Sequence, residues 1–405
     1  DHRDLHSFPT RRSSDLWALI IARGLLAFEL TDGLLWSGIV TFAAMVPRLF
    51  ATPISGFLAD RFDRQKLLRW IFALNMANNI LLALLVMTGL VGPWVLTLLA
   101  LVNGTLRASQ MTTATALIPN LVPKEHLMNA IALNQATQQG ARLAGAMAIA
   151  PLLGLVNIES AFWLCSGLYF LGFLQVSRMT TRSTGVIDES QSFWANMFEG
   201  FVYVYKRPII MSMVLLVLAH CAFTMSYESM LPAISEDKMG AGRVGVSYLI
   251  AGVGAGALFA SVFLAGVRSE STRGKLFLFF AFSSALGPIL LAWSDNTGLS
   301  VAATVIMGAN QAGFMTISHT IIQSLTEDHV RGRVAGVYSV HVGGSMAVTN
   351  MANAAFADVF SASAVLVVGG LIFVAAVFVS LGVNPLRRLY FPRPEPAAAV
   401  GTPAD

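Results

Sequence analysis

Charge is what this sequence has least of. Asp, Glu, Lys and Arg together make up 12% of its 405 residues, where a soluble globular chain carries about 25%. Apolar residues make up 55% and the mean hydropathy is +0.67, so lipid is the solvent that the composition fits. Cysteine is nearly missing. Cys165 and Cys221 are the only two, each inside an apolar run, which excludes a disulfide framework and reads as packing. The sequence has no Walker-type phosphate loop, no His/Cys cluster at metal-ligand spacing and no nucleophile elbow. It therefore offers no nucleotide-driven pump, no metal or other cofactor site and no enzyme. The net charge of +4 fits a bias among membrane loops better than a nucleic-acid partner.

What is present is a series of apolar runs, most about 20 residues long, the length a helix needs to cross roughly 30 Å of hydrocarbon. They predict twelve membrane helices, at about 17–30, 34–58, 67–91, 93–118, 128–153, 158–178, 209–233, 244–267, 275–294, 298–322, 331–355 and 360–383. The one long polar interval, 179–208, divides the chain into a first bundle (17–178) and a second (209–385), followed by a tail, 386–405. Within the interval, Phe193, Trp194, Met197, Phe198 and Phe201 fall at roughly helical spacing before Lys206 and Arg207, the pattern of an interfacial amphipathic helix.

Charge sets the orientation. Alternate loops from the one after the second helix onward hold seventeen Lys and Arg, including Arg61, Arg64, Lys66, Arg207, Lys275, Arg333 and Arg387, whereas the loops on the opposite face hold Lys238 and Arg243. By the positive-inside rule both ends face the cytoplasm. The halves also echo one another: "NLVPKEHLMNAIAL" (120–133) and "SLTEDHVRGRVAGV" (324–337) each follow the fourth helix of their half. Parallel repeats of this kind mark some secondary transporters.

The loop after the second helix reads "GFLADRFDRQKLLRW" (56–70). Its pattern Gly-x-x-x-Asp-Arg-x-x-Arg-x-Lys, formed by Gly56, Asp60, Arg61, Arg64 and Lys66, resembles the signature loop of the major facilitator superfamily. The "DRFDR" form, with Asp63 where a glycine is usual, and "LVPKEHLMNAIALNQATQQGARLAGA" (121–146) resemble its drug:proton antiporter branch, which includes enterobactin exporters and macrolide-efflux proteins. The resemblance covers 17–385. It implies an all-α fold of two six-helix bundles and a lock in which Asp60 meets the N-terminus of the eleventh helix, where a carboxylate is favoured. It further implies export of a small amphipathic molecule, a drug or a siderophore-like compound, coupled to protons, by a monomer in a bacterial inner membrane. Two readings stay open beside it: an importer or uncoupled carrier of the same fold, and a membrane receptor or scaffold without flux. Ala146 stands where the antiporters' Gly-Pro motif has its proline, a departure that touches antiport more than transport.

Ionisable groups inside membrane spans are costly and often functional. Arg48, between Pro47 and Pro53, Arg107 in a fourth helix rich in Thr, Ser and Gln, and Gln138 with Arg142 on a polar stripe of the fifth are candidates to line a cavity. Arg23 is expected to be structural. Glu29 and Glu228, near the outer ends of the repeat-equivalent first and seventh helices, are the candidate proton carriers, with a solvated helix end as the plainer reading. His341 is an alternative, as are His220 and His319, although histidines in such places are more often packed polar residues than relays. Gly252, Gly256 and Ala260 form a small-xxx-small line suited to close helix approach.

The first sixteen residues, "DHRDLHSFPTRRSSDL", fit none of this. Three arginines are balanced by three aspartates, and no apolar stretch makes them a signal peptide. Back-translated, they resemble a widely used sequencing-adapter oligonucleotide read in one frame. The expectation is a foreign, disordered segment and a natural sequence beginning at Trp17, with the first helix cut short.

Overall fold

A computed structural model describes residues 10–121, 145, 147–148, 152, 156–178, 193–265, 270–327 and 330–391. The described residues are mostly helical, with no strand among them. In chain order the helices are α1 (Thr10–Thr31), α2 (Leu34–Met45), α3 (Arg48–Arg61), α4 (Arg64–Met87), α5 (Pro93–Leu121), α6 (Ile158–Arg178) and α7 (Phe193–Lys206). The second half continues with α8 (Pro208–His220), α9 (Leu231–Met239), α10 (Gly242–Ala265), α11 (Glu270–Trp293), α12 (Thr297–Ser324), α13 (Arg331–Val359), α14 (Ala362–Gly382) and α15 (Asn384–Tyr390). Seven segments of this set are long and apolar enough to cross a membrane: Leu34–Thr52, Arg64–Met87, Ile158–Arg178, Pro208–Met239, Gly242–Leu264, Thr272–Trp293 and Ala362–Gly382. α1, α5, α12 and α13 are also long, at 22, 29, 28 and 29 residues, but polar side chains such as Arg23, Arg107, Gln311 and Asn350 are buried along them. Helices with polar middles line cavities or seams rather than lipid. The fifth expected helix, 128–153, lies almost wholly outside the described residues.

Three expectations change. The first helix starts at Thr10, so residues 10–16 are helical rather than disordered; nothing from Thr10 to Leu16 breaks a helix once the apolar run behind it has formed. The single expected helix 34–58 is two, α2 and α3, parted at Val46–Pro47, with Pro47 as the N-cap of α3, because a proline has no N–H to continue the ladder. Gly56, which opens the expected loop pattern, lies inside α3, which continues to Arg61.

Each half is knit by close approach and by polar clasps. In the second half, a Cβ on Gly256 would stand 1.9 Å from the Val305 carbonyl oxygen, and one on Gly308 would stand 1.9 Å from that of Val253. The expected small-residue line therefore seats α10 directly on the backbone of α12. Overpacking costs about 1–3 kcal/mol even where side chains can yield, and here the obstacle is backbone. Gly256→Leu is expected to lower the thermal midpoint of the detergent-solubilised protein sharply, whereas Phe259→Leu, on the exposed side of α10, is expected to leave it nearly unchanged.

In the first half the clasp is polar. Arg23, 3% exposed, donates to Asn103 Oδ1 at 2.8 Å and Asn79 Oδ1 at 3.3 Å, and Asn103 donates to Asn75 Oδ1 at 2.7 Å. The guanidinium ties α1 to α4 and α5, the structural role expected of it. Cys165 and Cys221 are both buried.

Candidate transport site

The site begins with the breaks in two spans. At Pro47 the second span turns and puts Arg48 on the seam between the halves: its Cβ and Cδ lie 3.6 and 3.7 Å from where a Cβ on Gly343 of α13 would be. The seventh span is interrupted more deeply. α8 gives way at Cys221–Met225 to a π turn, then to a 3₁₀ turn at Glu228–Met230, before α9 resumes with Pro232 in its first turn. Carbonyls freed at membrane depth must be satisfied within the protein. They are: Gln311 Nε2 donates to Thr224 O at 2.8 Å, Asn353 Nδ2 to Ser226 O at 2.7 Å, and the Ser226 hydroxyl to Cys221 O at 2.7 Å. The Ser229 hydroxyl donates to Asn350 O at 2.9 Å, bracing the break against α13.

This brace holds Glu228 inside the protein, 5% exposed. Arg107, in the middle of α5, is 9% exposed. It contrasts with Arg23, since among the described residues no side chain or carbonyl hydrogen-bonds to it. Arg48 and Arg107 both lie in the field of the Glu228 carboxylate, and Arg107 also in that of Arg48. Beside Arg107 and Arg23 is a cavity of about 20 Å³, lined also by Gly24, Thr41, Met45 and Asn103, room for about one water molecule. The buried Arg107 and Glu228, with the half-buried Arg48, thus lie in one another's electrostatic field, with contributions from both halves.

The other candidates lie elsewhere. Glu29 is not in the group: at the face opposite the basic loops, it takes a two-pronged ion pair from Arg243 at the start of α10, with Arg243 Nη2 at 2.8 Å from Glu29 Oε2. That face carries a second bond between the halves. Asp358, at the end of α13, accepts from Leu34 N at 2.7 Å and Leu35 N at 2.8 Å. The N-cap of α2 is Gly33, which has no side chain to offer, so a carboxylate from the other half satisfies two orphan N–H groups at the positive end of the helix dipole. Just below, a Cβ on Gly38 would fall 2.6 Å from Ala354 Cβ, and the two helices touch there.

On the basic face, Asp63 caps α4 by accepting from Gln65 N at 2.9 Å, a role that accounts for an aspartate where the family pattern has glycine. Arg64 Nε donates to Ala59 O at 3.0 Å, a cation at the C-terminus of α3, and Arg61 and Lys66 are exposed or nearly so on the same turn. The side chain of Asp60 and that of Arg331 lie outside the described residues, as do Gln138 and Arg142. His341 is not a cavity group: its ring nitrogens meet Val337 O at 2.7 Å and the Tyr205 hydroxyl at 2.8 Å, within the contact between α13 and the amphipathic α7. Glu199 pairs with Arg333 in that same contact. His220 is packed, bonded to Ser284 at 2.6 Å and stacked on Phe314 with ring centroids 4.1 Å apart.

Two helical halves, a broken span and ionisable groups buried inside them are the features of a membrane transporter of the two-bundle class. A family model described as transmembrane secretion effector matches residues 15–389, and the chain belongs to that family, within the major facilitator superfamily. It is 23% identical over 332 residues, 78% of this chain and 80% of the relative, to the multidrug efflux pump Tap of Mycolicibacterium fortuitum. It is likewise 23% identical over 290 residues, 71% of this chain and 68% of the relative, to the enterobactin exporter EntS of Shigella boydii serotype 18. Among solved structures, the nucleoside transporter NupG superposes with a TM-score of 0.75 at 11% identity, covering 96% of this chain and 99% of NupG. A POT family transporter in complex with 5-aminolevulinic acid gives 0.74 at 10% identity, covering 95% and 96%. These likenesses establish a multi-pass membrane transporter of this fold, not an enzyme.

Proposed function

We propose that the chain exports a small amphipathic molecule, of the drug or siderophore-like kind, in exchange for protons. In this reading a monomer works in a bacterial inner membrane with its basic face and both ends in the cytoplasm. The observation that carries this reading is Glu228, a carboxylate buried between the halves in the field of two arginines. A substrate group that donates to the Glu228 carboxylate competes with a proton for the same oxygens. Two ligands that exclude one another at a site open to one face at a time are exchanged across the membrane. The efflux functions named for Tap and EntS support the outward direction, and the seventeen-to-two bias of basic loops supports the orientation.

Alternation needs a closure on each face. On the face opposite the basic loops it is the pair of bonds made by Asp358 and by Glu29 with Arg243. On the basic face we assign it to Gly56, Asp60, Arg61, Arg64 and Lys66, with Asp60 directed to the N-terminus of α13. Everted membrane vesicles test the reading. A panel of fluorescent amphipathic compounds is expected to include at least one that accumulates when the lumen is acidified, and Asp60→Asn is expected to cut that accumulation without lowering the amount of chain in the membrane. Full accumulation by Asp60→Asn removes the assigned closure. No movement of any compound favours a receptor or scaffold.

A further inference from the structure

A groove of about 460 Å³ opens on the outside of the second half, away from the seam, and none of the transport chemistry uses it. Its floor is one stripe of α11: Lys275, Leu278, Phe279, Phe282 and Leu286, with Phe391 at the end nearer the basic face. The stripe runs over twelve residues, from Lys275 to Leu286, about 16 Å at a rise of 1.5 Å per residue, which matches one leaflet of a hydrocarbon core of about 30 Å. The mouth is built by α15. Gly274 lets that helix press against α11, where a Cβ would be 2.1 Å from Leu389 O, and the buried Tyr390 is held by its hydroxyl contact with Ser380 at 2.9 Å. Among the described residues at the mouth the exposed charges are basic. Lys275 is exposed and lines the groove, whereas the exposed Arg387 and Arg388 of α15 do not line it.

We propose that this groove is a seat for an anionic phospholipid of the leaflet on the basic face, with one acyl chain along the α11 stripe and the phosphate against Lys275. Basic groups between helices at this depth recognise anionic headgroups, each worth about a five-fold gain in occupancy. The apolar stripe supplies the part of the affinity that does not depend on the headgroup. The seat is independent of what the protein transports.

Native mass spectrometry of the purified full chain, titrated with dioleoyl phosphatidylglycerol or dioleoyl phosphatidylcholine, tests it. The chain is expected to retain phosphatidylglycerol about five-fold better. Lys275→Gln is expected to bring the ratio close to one, and Lys275→Arg to restore it. Leu286→Trp, at an exposed position along the stripe, is expected to lower retention of both lipids and keep the preference. Equal retention of the two lipids by the unaltered chain would overturn the proposal. So would a preference that survives Lys275→Gln, retention untouched by Leu286→Trp, or a second copy of the chain occupying the face in place of lipid.

Discussion

Glu228→Gln is expected to lower proton-gradient-driven transport at least about ten-fold, the factor that roughly 1.4 kcal/mol of lost coupling represents. Glutamine keeps the shape and the hydrogen-bonding capacity of the side chain but cannot take up or release a proton. The brace around the break consists of Gln311, Asn353, Ser226 and Ser229 acting on backbone or side-chain partners other than the Glu228 carboxylate, so the chain should still fold and insert. Substrate binding without a gradient is expected to persist, and its dependence on pH to flatten. Full gradient-driven transport by Glu228→Gln would move the coupling to another group. Glu29→Gln is the informative partner: because Glu29 belongs to the ion pair with Arg243 rather than to the buried group, it is expected to leave the coupling of protons to substrate intact.

The second large effect concerns the balance between conformations. Asp358→Ala removes the acceptor for two N–H groups of α2. A carboxylate at a helix N-terminus is worth about 0.3–1 kcal/mol when exposed. Arg243→Ala removes the pair with Glu29, whose side chains are 39% and 31% exposed, so solvent screening limits it to about 0.2–1 kcal/mol. Together they amount to about 0.5–2 kcal/mol, or a two- to thirty-fold change in the ratio of the two conformations. The double variant is expected to shift toward the state open on the face opposite the basic loops. Spin labels on exposed positions of that face, one in each half, would report a longer distance population in pulsed electron resonance. An unchanged distribution would show that apolar packing such as Gly38 on Ala354, rather than these bonds, sets the balance.

How much of this was legible beforehand depended on whether the signal was local. Spans such as Ile158–Arg178 were readable because hydropathy is summed over many residues and is insensitive to packing. The helix at 193–206 was readable from the spacing of its aromatics. The closure at Asp358 was not, because an aspartate at a helix end looks solvated until another helix N-terminus is brought to it. Its one trace was Gly33, a start signal for α2 with no capping side chain. The π break was similarly hidden, since its stabilising partners, Gln311 and Asn353, lie 87 and 127 residues away from the carbonyls they satisfy. Pro232 hinted at a helix restart but not at the irregular turn before it. The "NMANN" run at 75–79 offered more: several amides in a membrane helix demand partners, and two of its three asparagines, with Asn103, are what hold Arg23. Glu29 and Glu228 looked equivalent by repeat and proved different because the seventh span breaks to carry its carboxylate inward, whereas α1 runs unbroken past Glu29.

Exchange of protons for substrate at Glu228 is the core of the account, and it is measured most directly in proteoliposomes holding the purified chain, an acidic lumen and a trapped pH-sensitive dye. Adding a substrate identified in the vesicle panel to the outside should raise the lumenal pH as the compound enters, and neither change should occur with Glu228→Gln. Uptake of the compound with no movement of protons, or proton movement undiminished in Glu228→Gln, would contradict it.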